Sequence, residues 1–275
     1  MCQDCGCEIA TDLISRKILG VPQVQQVQKL QISQEVFSED RNRSTPVSRR
    51  IEMGQAIVEK NIQQAELNRM WFRAHQIPVI NMMSAPGSGK TYLLEKTVQA
   101  LGDSLGFAIL TGDQEMSYDA ERLKRVGARV KQINTLNSCH LNAQHIEAEL
   151  QGFVGERSQL LVIENVGNLV CPAAFDLGES HKVAVLSTTE GEDKPSKYPL
   201  LFHEADLIIV SKMDLVPYLD WTQEICQQHI RRVNPNAPIF YLSAKTGEGM
   251  EAWLKYVQTL RSELTTMGSL HEVLK

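Results

Sequence analysis

Short, mostly apolar runs alternate with segments of helical periodicity from residue 78 onward. The candidate strands are residues 79–83, 107–110, 129–133, 160–163, 183–186, 207–210 and 239–242. The candidate helices lie around residues 90–101, 118–125, 143–150, 222–233 and 251–264. This alternation predicts βαβ units and a mostly parallel sheet with helices on both faces. Because such sheets bind ligands beyond the carboxyl ends of their strands, the residues after each strand are the first candidates for function.

The pattern is different before residue 78. Apolar residues recur at helical spacing from Pro46 to about His75 and predict a long amphipathic helix that packs on the domain. They are Ile51, Met53, Ile57, Val58, Ile62 and Ala65. Residues 8–45 are rich in glutamine and poor in large apolar side chains, which predicts a flexible linker. The expected organisation is a cysteine-rich motif at 1–7, a linker at 8–45 and one domain at 46–275.

Composition and charge narrow the classes of function. The chain has 275 residues, of which 43% are hydrophobic and 22% charged, as in a globular protein with a substantial core. A net charge of −5 argues against a general nucleic-acid partner. The chain has no apolar run of about 18 residues and no basic-then-apolar start, so we expect a cytoplasmic protein without a membrane partner. The six cysteines are then not expected to form a disulfide framework.

A glycine-rich segment follows the first predicted strand and opens a predicted helix. Residues 84–91 read SAPGSGKT and match the phosphate-binding loop G-x-x-x-x-G-K-[ST], except that Ser84 replaces the first glycine. In such a loop, backbone amides and the positive end of the helix hold the phosphates. The residues predicted to contact the nucleotide are Gly87, Ser88, Gly89, Lys90 and Thr91.

Several positions around this loop are candidates for catalysis and for holding Mg²⁺. Lys90 is expected to reach the β- and γ-phosphates, and Thr91 to bind Mg²⁺. Glu164 ends an apolar strand and is a second candidate for Mg²⁺, directly or through water. Asp113 follows the second strand and is a third, although Asp is also common in turns. Gly167 lies where a backbone N–H can approach a γ-phosphate.

Two short motifs favour guanine over adenine. Residues 211–214 read SKMD and resemble the GTPase motif Asn-Lys-x-Asp, with serine where asparagine would brace the loop. Asp214 can accept hydrogen bonds from guanine N1–H and the 2-amino group, and leaving it unpaired beside adenine costs on the order of 1–3 kcal/mol. The stem of Lys212 can lie along the base. A second segment resembles the GTPase Ser-Ala-Lys loop that meets the guanine 6-oxo group: Ser243, Ala244 and Lys245.

Three cysteines, Cys2, Cys5 and Cys7, lie within the first seven residues. Three thiolates and the α-amino nitrogen can form a square-planar site for Ni²⁺ or Cu²⁺, or a tetrahedral site for Zn²⁺. A redox pair or incidental thiols are the alternatives.

A second group of candidate metal ligands lies near the predicted strand ends. Cys139 and His140 form a dipeptide before a helix that Ser138 could cap. Cys171 follows the acidic end of the strand at 160–163. These residues could share a metal, and an incidental Cys-His pair is the alternative. Cys226 lies in a helical stretch and is expected to be a small core residue.

Taken together, these motifs closely resemble the hydrogenase nickel-incorporation GTPase family (HypB-type) over about residues 46–260. Urease nickel GTPases resemble the chain less, because they carry proline between cysteine and histidine. The features that carry the resemblance are the Cys-x-x-Cys-Gly-Cys start, the loop at 84–91, the dipeptide at 139–140, and the segments ENVGNLVCP (164–172), TEGEDKP (189–195) and GEGM (247–250).

The resemblance implies an α/β P-loop GTPase (SIMIBI-like) domain that delivers nickel to [NiFe]-hydrogenase during its maturation. It also implies tight nickel binding by Cys2, Cys5 and Cys7. The implied ligands of a second nickel or zinc site, at the interface of a GTP-dependent homodimer, are Cys139, His140 and Cys171. The implied partners are the hydrogenase large subunit and other maturation factors. Residues 8–74 contain no histidine, which argues against nickel storage.

We therefore expect a switch in which GTP and Mg²⁺ order the loops after Asp113 and Glu164. No arginine finger or water-orienting glutamine is evident from the sequence, so slow intrinsic hydrolysis is expected. One alternative is a protein that buffers nickel or zinc and uses nucleotide only for assembly. Another is a thiol redox regulator that uses Cys2, Cys5 and Cys7.

Overall fold

A seven-stranded parallel sheet forms the centre of the described part of the chain, which comprises residues 46–113, 118–135, 138–154 and 158–273 of a computed structural model. The strand order is β3-β2-β4-β1-β5-β6-β7. The strands are β1 (Val79–Ser84), β2 (Phe107–Asp113), β3 (Arg129–Asn134), β4 (Leu160–Glu164), β5 (His181–Ser187), β6 (Leu207–Ser211) and β7 (Ile239–Tyr241). Since every strand pair is parallel, all carboxyl ends lie at one edge.

Helices cover both faces of this sheet. They are α1 (Pro46–Ala74), α2 (Lys90–Leu101), α3 (Tyr118–Arg125), α4 (Ala143–Phe153), α5 (Lys194–Lys197), α6 (Pro199–Glu204), α7 (Gln223–Val233) and α8 (Met250–Val273). Helices α2, α3 and α8 bury apolar residues against one face, and α1, α4, α6 and α7 cover the other. Successive residues of β1 point to opposite faces, so Met82 packs in one core and Met83 in the other.

The predicted fold class is confirmed. Each of the seven predicted strands is present, with ends within three residues of those expected. Helices α5 and α6 were not predicted, because segments of four and six residues are too short to show helical periodicity. No helix in the described ranges is long and apolar enough to cross a membrane. Residues 1–45, which hold the predicted linker and Cys2, Cys5 and Cys7, lie outside the described residues.

Helix α1 packs on the domain as predicted, although only part of the predicted stripe faces it. Ala65 is buried and Val58 packs against the core, while Ile62 is 55% exposed and Ile57 is 40% exposed. Among the described side chains of α1, the buried ones follow one another at spacings of three and four residues: Asn61, Ala65, Asn68 and Phe72. Half of this face is polar, so a search for apolar periodicity alone finds the helix and misses its two buried asparagines.

The buried asparagines dock α1 through hydrogen bonds to the backbone. Asn61 donates to the Asp176 carbonyl at 2.8 Å and accepts from the Ala143 N–H at 2.9 Å. Asn68 donates to the carbonyls of Ala143 and Leu177, at 2.8 and 3.1 Å. Helix α1 is thereby tied to the start of α4, which directly follows the loop that carries Cys139 and His140.

Candidate nucleotide and metal site

The predicted phosphate-binding loop joins β1 to α2 and borders a cavity of about 520 Å³. Gly87 and Gly89 have φ angles of 73° and 97°, a left-handed conformation that glycine adopts without strain. The loop shares this cavity with Glu164 and Gly167 from the end of β4 and with Cys139. The tertiary structure therefore brings residues from the predicted phosphate, magnesium and thiol groups to one cavity.

The serine that departs from the loop motif has a defined role. The Ser84 hydroxyl accepts hydrogen bonds from Lys90 Nζ at 2.6 Å and from the Ser88 hydroxyl at 2.5 Å. It donates its own hydrogen to the Ala85 carbonyl at 2.7 Å. One donor and two acceptor positions exhaust the capacity of a hydroxyl. Ser84 is fully buried, and it holds both Lys90 and Ser88 in place.

Lys90 and the magnesium candidates lie together at the floor of the cavity. Burial holds the pKa of Lys90 below its ordinary value. The carboxylates of Glu164, Glu190 and Asp119 act in the opposite direction and offset part of this effect. The Thr91 hydroxyl donates to Glu164 Oε1 at 2.5 Å. A hydroxyl and a carboxylate this close together suit a hard cation such as Mg²⁺. Asp113 is the last residue of β2, at the same edge, and its side chain lies outside the described residues.

Gly167 is positioned by close packing against the phosphate loop. A Cβ atom at this position would lie 2.9 Å from the Pro86 Cα and 3.0 Å from the Pro86 nitrogen. Any larger residue would therefore have to displace the loop backbone. The prediction that Gly167 approaches the phosphates is consistent with this contact, which brings the end of β4 directly against the loop.

A second cavity, of about 350 Å³, is lined by four of the residues predicted to read guanine: Lys212, Asp214, Ala244 and Lys245. Asp214 accepts a hydrogen bond from the Ser243 hydroxyl at 2.6 Å, and Lys245 Nζ lies 3.9 Å from its other oxygen. Lys212 donates to the Gly87 carbonyl at 2.6 Å, so its stem crosses the phosphate loop. Ser243 orients the Asp214 carboxylate from behind the cavity.

The expectation that Ser211 leaves the loop unbraced is wrong. The Ser211 hydroxyl donates to the Ser88 carbonyl of the phosphate loop at 2.7 Å, and the Leu186 carbonyl of β5 lies 3.3 Å away. Serine can replace asparagine here because β6 ends close enough to the loop for a short side chain to reach it. Ser211 is buried, so its hydrogen bond is shielded from water.

Two residues that line the phosphate cavity were not predicted from the sequence. Tyr92, in the first turn of α2, lines both cavities. Arg122 of α3 lines the phosphate cavity, with its guanidinium 5.6 Å from the Tyr92 ring centroid and 2.6 Å from Glu95 Oε2. Neither belongs to a motif. The available signal was that α3 follows the carboxyl end of β2, where ligands bind.

The predicted thiol site is only partly assembled. Cys139 Sγ and Cys171 Sγ are 2.9 Å apart although 32 positions separate them in the sequence. His140 Nδ1 lies 3.9 Å from Cys139 Sγ, and its ring stacks on Phe175 with centroids 3.9 Å apart. Burial lowers the pKa of His140 to about 4, so the imidazole is neutral at pH 7. A neutral imidazole retains a lone pair with which to bind a metal.

Within the described ranges, no group of three or more His, Cys, Asp or Glu side chains is arranged to hold a metal ion. The structure thus pairs the two thiols without completing the predicted set of ligands. The cap expected at Ser138 is also wrong, because Asn142 caps α4 and accepts from the His145 N–H at 2.9 Å. Cys226 is a core residue as predicted, and burial raises the pKa of its thiol to about 12.

Residues 78–241 match the family described as CobW/HypB/UreG, nucleotide-binding domain. The hydrogenase maturation factor HypB of Azotobacter chroococcum mcd 1 is 49% identical over 214 residues, which is 78% of this chain and 70% of that protein. The chain belongs to the HypB family of hydrogenase maturation factors. The resemblance inferred from the sequence motifs is therefore confirmed.

Solved HypB structures share the fold. HypB from Archaeoglobus fulgidus superposes with a TM-score of 0.70 at 37% identity, covering 74% of this chain and 99% of that one. HypB from Helicobacter pylori in complex with nickel gives a TM-score of 0.70 at 36% identity, covering 74% and 96%. Membership of the HypB family and the P-loop GTPase-like fold support nucleotide binding in general, while the individual residue roles stay predictions.

Proposed function

We propose that this chain is a GTP-hydrolysing nickel metallochaperone that delivers nickel to [NiFe]-hydrogenase during maturation. The observation that carries this proposal is that Cys139, one of the paired thiols, lines the same cavity as the phosphate loop and Gly167. A γ-phosphate in that cavity would lie beside the thiol site. Occupation by GTP or GDP can then change the affinity of the thiols for a metal.

On the nucleotide side, the proposal rests on Lys90, Asp214 and the backbone amides of the phosphate loop. Lys90 would exchange its hydrogen bond to Ser84 for phosphate oxygens, which compensate its burial better than a neutral hydroxyl does. Asp214, held by Ser243, would read the guanine edge. The backbone amides of Gly87 to Lys90 would hold the phosphates at the start of α2.

For hydrolysis, Thr91, Glu164 and Asp113 are the residues that would hold Mg²⁺. When bound, the ion neutralises charge on the phosphate oxygens. Lys90 and the Gly167 N–H are the groups of the chain that would contact the γ-phosphate. Slow intrinsic hydrolysis is expected, because the motifs include no arginine finger and no water-orienting glutamine.

On the metal side, nickel is the cargo, and Zn²⁺ suits the same donors. Cys139 and Cys171 offer two soft thiolates, and His140 offers a neutral imidazole. The described residues of one chain offer these three donors at the site, so a symmetric GTP-dependent dimer would complete the ligand set by placing two copies face to face. Cys2, Cys5 and Cys7 form a separate, tighter nickel site in this proposal. The hydrogenase large subunit and other maturation factors are the proposed partners.

The test compares metal content and oligomeric state of the purified full chain with GDP and with a non-hydrolysable GTP analogue. We expect the analogue to favour the dimer and to change the nickel bound outside the N-terminal motif. If metal binding and assembly are independent of the nucleotide, the GTP-gated chaperone is rejected. If nucleotide changes assembly while metal affinity stays constant, the buffering alternative is supported.

A further inference from the structure

Asn165 contacts the loops of both candidate sites with a single side-chain oxygen. It directly follows Glu164 at the carboxyl end of β4 and is 2% exposed. Its Oδ1 accepts from the Val166 N–H at 2.9 Å and from the Leu141 N–H at 3.4 Å. Val166 precedes Gly167, and Leu141 follows the Cys139-His140 dipeptide. A displacement of either loop therefore alters the hydrogen bonding of the other.

The core fixes the orientation of the Asn165 amide. Its Nδ2 donates to Asn81 Oδ1 at 3.1 Å, and Asn81 lies fully buried in β1. Asn81 donates in turn to Glu179 Oε1 at 3.1 Å, and the other oxygen of Glu179 accepts from the Leu177 N–H at 2.7 Å. Because the Asn165 Nδ2 donates toward Asn81 in β1, its Oδ1 faces the N–H groups of Val166 and Leu141 in the two loops. Reversing the amide would leave buried groups mispaired.

Leu141 makes a second contact with the nucleotide side. It is fully buried, and a Cβ atom on Gly112 would lie 2.9 Å from the Leu141 Cγ. Gly112 precedes Asp113, the magnesium candidate at the end of β2. Leu141 is thus held between the ends of β2 and β4, the two strands whose following loops are expected to order around GTP.

We infer that Asn165 is the positioning residue that couples the γ-phosphate site to the Cys139–Cys171 thiol site, given the proposed GTP-gated function on which this assignment rests. A γ-phosphate drawn to the Gly167 N–H shifts the backbone at 165–167, and the Asn165 oxygen transmits that shift to Leu141. Cys139 lies two residues before Leu141. The coupling is reciprocal, so metal at the thiols also biases the chain toward one nucleotide state.

The test uses the full chain with Cys2, Cys5 and Cys7 replaced by serine, so that Ni²⁺ reports only the second site. The measured quantity is the ratio of Ni²⁺ dissociation constants with GDP and with a non-hydrolysable GTP analogue. For this parent chain we expect a ratio of roughly 5–150-fold, the usual range of coupling between two sites. Asn165→Ala should bring the ratio to about one, because the shared acceptor is lost.

Three further variants make the result specific. Asn165→Ser keeps a polar side chain that is one bond too short to reach the Leu141 N–H, so it should lose the ratio as Asn165→Ala does. Leu141→Val trims the side chain that packs against Gly112 but keeps the N–H from which Asn165 accepts, so it should retain most of the ratio; loss of the ratio there would place the coupling in the Gly112 contact and not in Asn165. Asn234→Ala removes partly buried hydrogen bonds to the carbonyls of Phe202 and Ala205, far from both loops, and should leave the ratio unchanged.

The outcomes separate this inference from the function on which it rests. A parent ratio of one rejects GTP gating itself, and the role of Asn165 with it. A parent ratio that persists in Asn165→Ala or in Asn165→Ser rejects only the role of Asn165. If Asn165→Ala does not fold, Asn165→Ser decides the question. Loss of the ratio in Asn234→Ala would show that general destabilisation is responsible, and would also overturn the assignment.

Discussion

The phosphate loop and the thiol site border one cavity through Cys139, but they differ in how completely the described residues build them. In the loop, the Ser84 hydroxyl has all its hydrogen-bonding positions filled, and Ser211 ties the loop to β6. At the thiol site, Cys139 and Cys171 meet while the His140 ring stacks on Phe175. Under the proposed function, the nucleotide site is therefore largely formed before its ligand binds, and the metal site depends on a further event.

This difference assigns separate roles to the two regions. A site whose backbone already has its binding conformation needs less reorganisation when its ligand binds. A site with too few metal ligands responds to whatever supplies or moves the missing ones. Under the proposed function, nucleotide binding is therefore expected to depend on the loop itself and metal binding to depend on the nucleotide state. Substitutions in one region should therefore change the affinity for one ligand and spare the affinity for the other, and the largest effect is expected in the phosphate loop.

Lys90→Ala should weaken nucleotide binding by about 3 kcal/mol, or roughly 150-fold, because a buried charge-assisted contact to phosphate is lost. Titration with a fluorescent guanine nucleotide measures the affinity. Nickel bound by Cys2, Cys5 and Cys7 should not change, and hydrogenase maturation should fail. Lys197→Ala, at an exposed lysine paired with Asp193, is the matched control. Maturation that survives Lys90→Ala would contradict the GTPase proposal.

Cys139→Ser or Cys171→Ser should weaken metal binding by the domain on the order of 100-fold, because a hydroxyl is a poor ligand for a soft metal site. Nucleotide affinity should stay within about twofold, since the loop's own hydrogen bonds are intact. Competition with a metal chelator measures the first quantity. Cys226→Ala, at a buried thiol outside the site, is the control. If the Cys139 and Cys171 variants lose the same bound ion as the serine variants of Cys2, Cys5 and Cys7, the two-site proposal is wrong.

Asn68→Ala should lower the free energy of unfolding by about 2 kcal/mol, roughly 30-fold in the unfolding constant, because two buried carbonyls lose their donor. Denaturant titration measures this change. Ile62→Ala, on the exposed side of α1, should change stability by less than about 0.5 kcal/mol. Equal losses in the two variants would mean that α1 does not dock through its polar face.

Ser211→Ala should weaken nucleotide binding by about 1 kcal/mol, or roughly fivefold, because the brace on the Ser88 carbonyl is removed. Ser211→Asn restores a donor at this position and should bind within about twofold of the original chain. The same nucleotide titration compares the three. An alanine variant with unchanged affinity would show that the loop holds its conformation without β6.

The candidate site could be predicted from the sequence where its residues act through the local backbone. The phosphate loop depends on glycines and a lysine within eight consecutive positions, and the guanine motifs stand directly after strands. Roles that depend on distant partners could not be predicted in this way. The loop-bracing function of Ser211 was missed because its partner, Ser88, is 123 positions away. Asn165 and Arg122 were missed because neither is assigned a role by a motif that can be recognised from the sequence.

By itself the sequence determined the order of strands and helices, the phosphate loop and its likeness to the HypB family. Hydrophobic periodicity and glycine conformation act over a few residues, so both can be recognised from the sequence. Only the tertiary structure decided that Cys139 meets Cys171, that α1 docks through Asn61 and Asn68, and that Asn165 lies between the two sites. Those contacts join residues 24 to 115 positions apart, and the packing of the parallel sheet brings them together.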